Sequence, residues 1–101
     1  MLPLAVCDAR TIYAADLVPT GVGTRPGEPL LPRTGLGVVY NPDQRWYYFP
    51  RMTGDEALIL KMWDTDQSRS QWAAHTAFHD PGTLSGAKPR VSLDARFIAF
   101  F

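Results

Sequence analysis

The chain has 101 residues, with ten basic and ten acidic side chains and 46% hydrophobic residues. That length allows one domain at most, and the hydrophobic share excludes disorder along the whole chain. The balanced charge offers no electrostatic footprint for nucleic acid or an anionic membrane, and no apolar run approaches the roughly 20 residues of a membrane span. Met1–Asp8 is too short, and lacks the basic start, for a signal peptide. Cys7 is the only cysteine, so no internal disulfide can form. A reducing cytoplasm is the expected setting, with Cys7 a small buried hydrophobe rather than a reactive thiol.

In chain order, residues 2–7 read as a short strand, and Asp16 with Leu17 as a short helical turn. Residues 19–35 carry Pro19, Gly21, Gly23, Pro26, Gly27, Pro29, Pro32 and Gly35. This density is expected to interrupt helix and strand alike and predicts a long loop that wraps around something outside the sequence. Leu36–Tyr40 and Arg45–Phe49 are β-rich runs flanking Asn41-Pro42-Asp43-Gln44, a turn sequence, and together they predict a hairpin over 36–49. Alternation puts Trp46 and Tyr48 on one face, with Arg45, Tyr47 and Phe49 on the other. Packing is the ordinary role of such aromatics; a ligand platform is the alternative. Ala57–Asp64 is a continuous apolar run entered through Gly54-Asp55. It reads as a buried strand, although Thr53 and Glu56 have the spacing of a helix capping box.

The last 27 residues, 75–101, hold the one constellation that looks like chemistry. His75 opens His75-Thr76-Ala77-Phe78-His79-Asp80-Pro81. A Gly/Pro/Ser/Lys loop follows, then a strand-like run from Arg90 to Phe101. In a strand, Arg90, Ser92, Asp94 and Arg96 share one face, and Val91, Leu93, Ala95, Phe97, Ala99 and Phe101 the other. A guanidinium beside a hydroxyl makes a carboxylate receptor. The bland alternative is a solvated face with Arg90 or Arg96 paired to Asp94. His75 alone fits a core histidine, an exposed one or a metal ligand. Asp80-Pro81-Gly82 argues against a helix that would align His79 with it.

The order of these features resembles the C-terminal half of a double-stranded β-helix dioxygenase: turn, apolar strand, histidine, then Arg-x-Ser on a final strand. In those enzymes Fe(II) sits on two histidines and a carboxylate. The likeness extends to sequence blocks: PLAVCDAR (Pro3–Arg10), DLVP (Asp16–Pro19), YNPDQRWYYFPRMTGDEALILKMWD (Tyr40–Asp64), HTAFHDP (His75–Pro81) and PRVSLDARFIAFF (Pro89–Phe101). On these blocks the chain resembles the CmcJ/AsaB-like hydroxylase/desaturase family. That family includes the cephamycin 7α-methoxylation component and fungal secondary-metabolite hydroxylases.

The resemblance implies a mainly β fold, a partial double-stranded β-helix of the jelly-roll or cupin kind with a long Pro/Gly-rich loop. It implies an oxidoreductase using Fe(II) and 2-oxoglutarate on a small organic metabolite. By position, His75 would bind iron, and Arg90 and Ser92 would hold the 2-oxoglutarate carboxylate, with Arg96 a weaker candidate. No residue is assigned as a catalytic acid, base or nucleophile. The sequence has two histidines and no His-x-Asp. In the family, the other two iron ligands lie before the Pro3–Arg10 block, so the resemblance implies a C-terminal portion that needs an N-terminal half or a second subunit. The alternative is a catalytically inactive remnant serving as a structural or interaction piece, with open sheet edges that favour association.

Overall fold

A computed structural model describes residues 2–22 and 31–100 of the chain. It is mainly β. Strands β1 (Leu4–Cys7), β4 (Trp46–Tyr48) and β5 (His75–Ala77) form an antiparallel sheet in the order β4-β1-β5. Strands β2 (Leu17–Val22) and β3 (Leu31–Val38) form a separate antiparallel ribbon.

The first sheet is built on β1. Ala5 and Cys7 are buried and, being two apart, share one face. Ala5 pairs with Tyr48 and Thr76, and Val6 with Tyr47 and His75. Tyr48 stacks edge-on against Phe78, with ring centroids 5.1 Å apart at 72°, so packing rather than ligand display accounts for this aromatic. The Cys7 Sγ lies 3.7 Å from Thr11 Oγ1, and the thiol is buried as expected.

A 3₁₀ turn, Ala9–Thr11, follows β1 with Asp8 as its N-cap. Asp8 Oδ1 accepts the Arg10 amide at 3.0 Å, satisfying a donor that the turn leaves free. A second 3₁₀ turn, Ala14–Asp16, matches the short helical turn read from the sequence, except that Leu17 already belongs to β2.

The 36–49 hairpin does not form. Leu36–Val38 belongs to β3 and pairs with β2, whereas Trp46–Tyr48 pairs with β1. The turn itself is present: the Gln44 amide donates to the Asn41 carbonyl at 3.1 Å, and the Asp43 amide to Asn41 Oδ1 at 2.9 Å. A good turn brings two runs close, but the partner of each is set by the sheet it can join. Here Asp16 captures the turn: Asn41 Nδ2 and Gln44 Nε2 donate to its carboxylate, and its carbonyl accepts the Val39 amide at 2.8 Å.

The loop expected over 19–35 is also corrected at both ends. Pro19 pairs with Leu36 and Thr20 with Gly35, within the β2–β3 ribbon. A two-stranded ribbon leaves one side of each strand unpaired, so a proline can stand in it without breaking a ladder bond. Residues 23–30 of the expected loop lie outside the described residues.

Two expected strands are absent. Ala57–Asp64 joins no sheet, although Leu58 and Leu60 are half-buried while Ile59 is 81% exposed. This is the two-residue period of an extended chain without a ladder; one bond, Ala73 N–H to the Lys61 carbonyl at 2.8 Å, ties it down. The Thr53 amide donates to Glu56 Oε2 at 2.7 Å, as in a capping box, but a turn follows rather than a helix. Residues 90–100 are likewise outside any strand and exposed throughout. The β pattern is in the sequence, but a strand exists only where a neighbour supplies its hydrogen bonds.

Candidate functional site

His75 opens β5, the edge strand on one side of the sheet. Its ring is exposed, and Nδ1 lies 2.8 Å from the Ala73 carbonyl. A carbonyl can only accept, so this contact places the proton on Nδ1. In the neutral ring, Nε2 then carries the free lone pair. A backbone carbonyl holding one imidazole nitrogen is how metal-binding histidines are commonly oriented.

The register adds neighbours that strand patterning alone did not reveal. Val6 pairs with both Tyr47 and His75, which places Tyr47, Val6 and His75 in a row on one face. With strands about 4.8 Å apart, the Tyr47 and His75 backbones lie about 10 Å apart across that row. On the opposite face, an open apolar cleft of ≈ 330 Å³ is lined by Ala5, Trp46 to Tyr48, Thr76 and Phe78. Knowing that Trp46 and Tyr48 share a face was not enough to place Tyr47 beside His75; that required the pairing with β1.

Arg90, Ser92 and Arg96 are exposed. The structure does not bring them together with His75. Among the described residues the ion pairs are Arg10–Asp8, Lys61–Asp64 and Arg69–Asp66, so neither Arg90 nor Arg96 pairs with Asp94. His79 is exposed as well.

The residues present do not fit a complete iron centre. Among the described residues no group of three His, Cys, Asp or Glu side chains could hold a metal ion. His75 fits as one ligand by its chemistry and orientation, and nothing nearby supplies the others.

The main electrostatic features are structural. The Arg10 side chain holds the Asp8 carboxyl at a pKa of about 2, with help from the Arg10 amide and the more distant Arg45 charge. Asp16 is buried, and its carboxyl is held below the usual range. The Tyr13 amide contributes most, and Asn41 and Gln44 add to it against the opposing effect of burial. Asp16 went unnoticed as a hub because its partners, Asn41 and Gln44, are 25 and 28 residues away.

Against this geometry, comparison with known proteins identifies the class. The chain belongs to an oxidoreductase family: the model described as "Oxidoreductase/YMDC permease-like domain" matches residues 1–100. Its relatives bear out the hydroxylase/desaturase resemblance. The chain is 36% identical over 110 residues to the hydroxylase/desaturase asaB of Aspergillus flavus, covering 98% of this chain and 48% of that protein. It is 37% identical over 98 residues to the Fe(II)/2-oxoglutarate-dependent dioxygenase nvfI of Aspergillus novofumigatus, covering 97% and 34%. It is 35% identical over 111 residues to the hydroxylase/desaturase efuI of Hormonema carpetanum, covering 98% and 36%. The chain thus spans between about a third and a half of the length of these curated relatives. No solved structure matches. Among the described residues no helix is long and apolar enough to cross a membrane.

Proposed function

We propose that this chain supplies part of the active site of an iron- and 2-oxoglutarate-dependent hydroxylase or desaturase acting on a small organic metabolite. In this reading the strands are a piece of a double-stranded β-helix. His75 is one iron ligand, Arg90 with Ser92 receives the 2-oxoglutarate carboxylate, and Arg96 is a second, weaker cation for that role. Val6 and Tyr47, on the His75 face, wall the site. The observation that carries the reading is the Nδ1 contact of His75 with the Ala73 carbonyl, which leaves Nε2 free for a metal. The name of the Aspergillus novofumigatus relative, an Fe(II)/2-oxoglutarate-dependent dioxygenase, supports the choice of cofactor and cosubstrate.

A second reading, a catalytically inactive piece, is favoured by the missing ligand set and by the exposure of Arg90, Ser92 and Arg96. Succinate formation from 2-oxoglutarate tests both readings. The 101-residue chain alone is expected to form none. In an intact dioxygenase domain containing this sequence, His75→Ala is expected to bring iron-dependent succinate formation to background. Arg90→Ala is expected to raise the KM for 2-oxoglutarate about 10- to 100-fold, the scale of a charge-assisted carboxylate contact. Unchanged succinate in His75→Ala rejects His75 as a ligand. A KM effect confined to Arg96→Ala moves the carboxylate site, and an inactive intact domain supports the second reading.

A further inference from the structure

The accessible surface of the chain is 9080 Å². A folded monomer of 11.3 kDa is expected to expose about 5,700 Å². The excess, about 3,400 Å², falls within the range buried by obligate interfaces. The radius of gyration tells the same story: 15.7 Å, against about 13 Å for a compact domain of this length. Among the described residues the buried hydrophobic side chains are Ala5, Cys7 and Ala74, two of them alanines. Meanwhile Val91, Leu93, Ile98 and Phe100 are 94%, 93%, 79% and 90% exposed.

The free edge of the sheet lies beside this apolar segment in the sequence order and is directional. The Ala74 carbonyl accepts the Cys7 amide at 2.9 Å, and the Phe78 amide donates to the Pro3 carbonyl at 3.1 Å, so these two residues face β1. Alternation along an antiparallel strand then turns the amides of His75 and Ala77 outward, to an edge with no neighbouring strand among the described residues. An edge of this kind is a template for strand addition.

We propose that the outer edge of β5 and the apolar segment 91–100 together form a docking surface for the part of the hydroxylase/desaturase fold that the curated relatives carry beyond the region matched here. The size of the surface selects this occupant. The excess area is that of a domain core cut in two, and the Aspergillus flavus relative has about as much chain again as the part matched. The added strand runs along β5, and residues 91–100 bury their apolar side chains against the incoming half. Docking concerns the same site as the proposed function and shares its family assignment, but it needs neither iron nor 2-oxoglutarate.

The test uses the labelled 101-residue chain in EDTA, mixed with the unmatched portion of the Aspergillus flavus, Aspergillus novofumigatus or Hormonema carpetanum relative. The expected result is a 1:1 complex by light scattering with at least one of them. Amide exchange at His75, Ala77 and residues 91–100 should slow at least about tenfold, with loss of dye binding to exposed apolar surface. Mixtures that remain separate species overturn the proposal. So does a complex that leaves these amides unchanged, or protection of the same amides in a homodimer of the chain alone, which would assign the face to a second copy. Because metal is absent, docking can succeed while succinate formation fails, and a failure of the dioxygenase reading is distinguishable from a failure of docking.

Discussion

At Asp8 a single side chain both caps a turn and carries a displaced charge. Its Oδ1 accepts the Arg10 amide and Nε, at 3.0 and 2.9 Å, and Oδ2 accepts the guanidinium at 2.6 Å. The Arg10 contacts hold the carboxyl at about 2, below its ordinary 3.8. A carboxyl depressed in the folded state stabilises the fold above its unfolded pKa and loses that contribution as pH falls through the folded value. The window is therefore pH 4 down to about 2. Carbon chemical shifts of the Asp8 carboxyl should give a midpoint near 2 in the native chain, moving toward the ordinary value in Arg10→Ala. A midpoint near 3.8 in the native chain would remove the charge-assisted cap. At this scale the sequence was readable where chemistry is local. The Asn41-Pro42-Asp43-Gln44 turn and the burial of Cys7 follow from residue type and near neighbours. The orientation of His75 does not, because it depends on where the Ala73 carbonyl lies.

Among the elements, the β2–β3 ribbon best shows how a sequence dense in glycine can still form strands. Gly37 pairs with Val18, and a Cβ there would stand 2.6 Å from Thr20 Cγ2 and 3.4 Å from Val18 Cγ2. In an open strand, Gly→Ala would gain roughly 0.5–1 kcal/mol by removing backbone freedom. Here the methyl clash opposes that gain, and overpacking typically costs about 1–3 kcal/mol. Gly37→Ala is accordingly expected to lower stability in urea titrations. Combining it with Thr20→Ser, which removes the opposing methyl, should recover most of the loss. Additive effects in that double-mutant cycle would place the cost elsewhere. The same element explains two misreadings. Pro and Gly counts describe what an isolated segment prefers, whereas the ribbon arises because β2 and β3 supply each other's hydrogen bonds. The 36–49 hairpin failed for the complementary reason: its runs had suitable residues and a sound turn, but β2 and β1 were the partners they joined.

For the molecule as a whole, amount of buried surface is the governing quantity, and it separates a self-sufficient domain from a piece of one. An unfolded chain of 11.3 kDa exposes about 16,400 Å². Folding to 9080 Å² then buries about 7,300 Å², roughly two-thirds of the 10,700 Å² that a compact monomer would bury. Heat capacity and denaturant sensitivity of unfolding both scale with this area. A compact domain of about 100 residues has an unfolding ΔCp of about 1.2–1.5 kcal/mol/K, so the chain alone is expected to give about 0.8–1.0 kcal/mol/K. Its urea m-value should be reduced in the same proportion. This is why residues 90–100 could not be placed from sequence: the alternating pattern of Arg90–Phe100 records a strand's two faces but not whether both faces have a neighbour. Calorimetry of the chain alone and of the docked complex decides the matter. A ΔCp already at the compact value in the isolated chain would mean that segment 91–100 finds its cover within the chain. A low value that rises on docking by more than the complementing portion contributes alone would mean the cover comes from outside it.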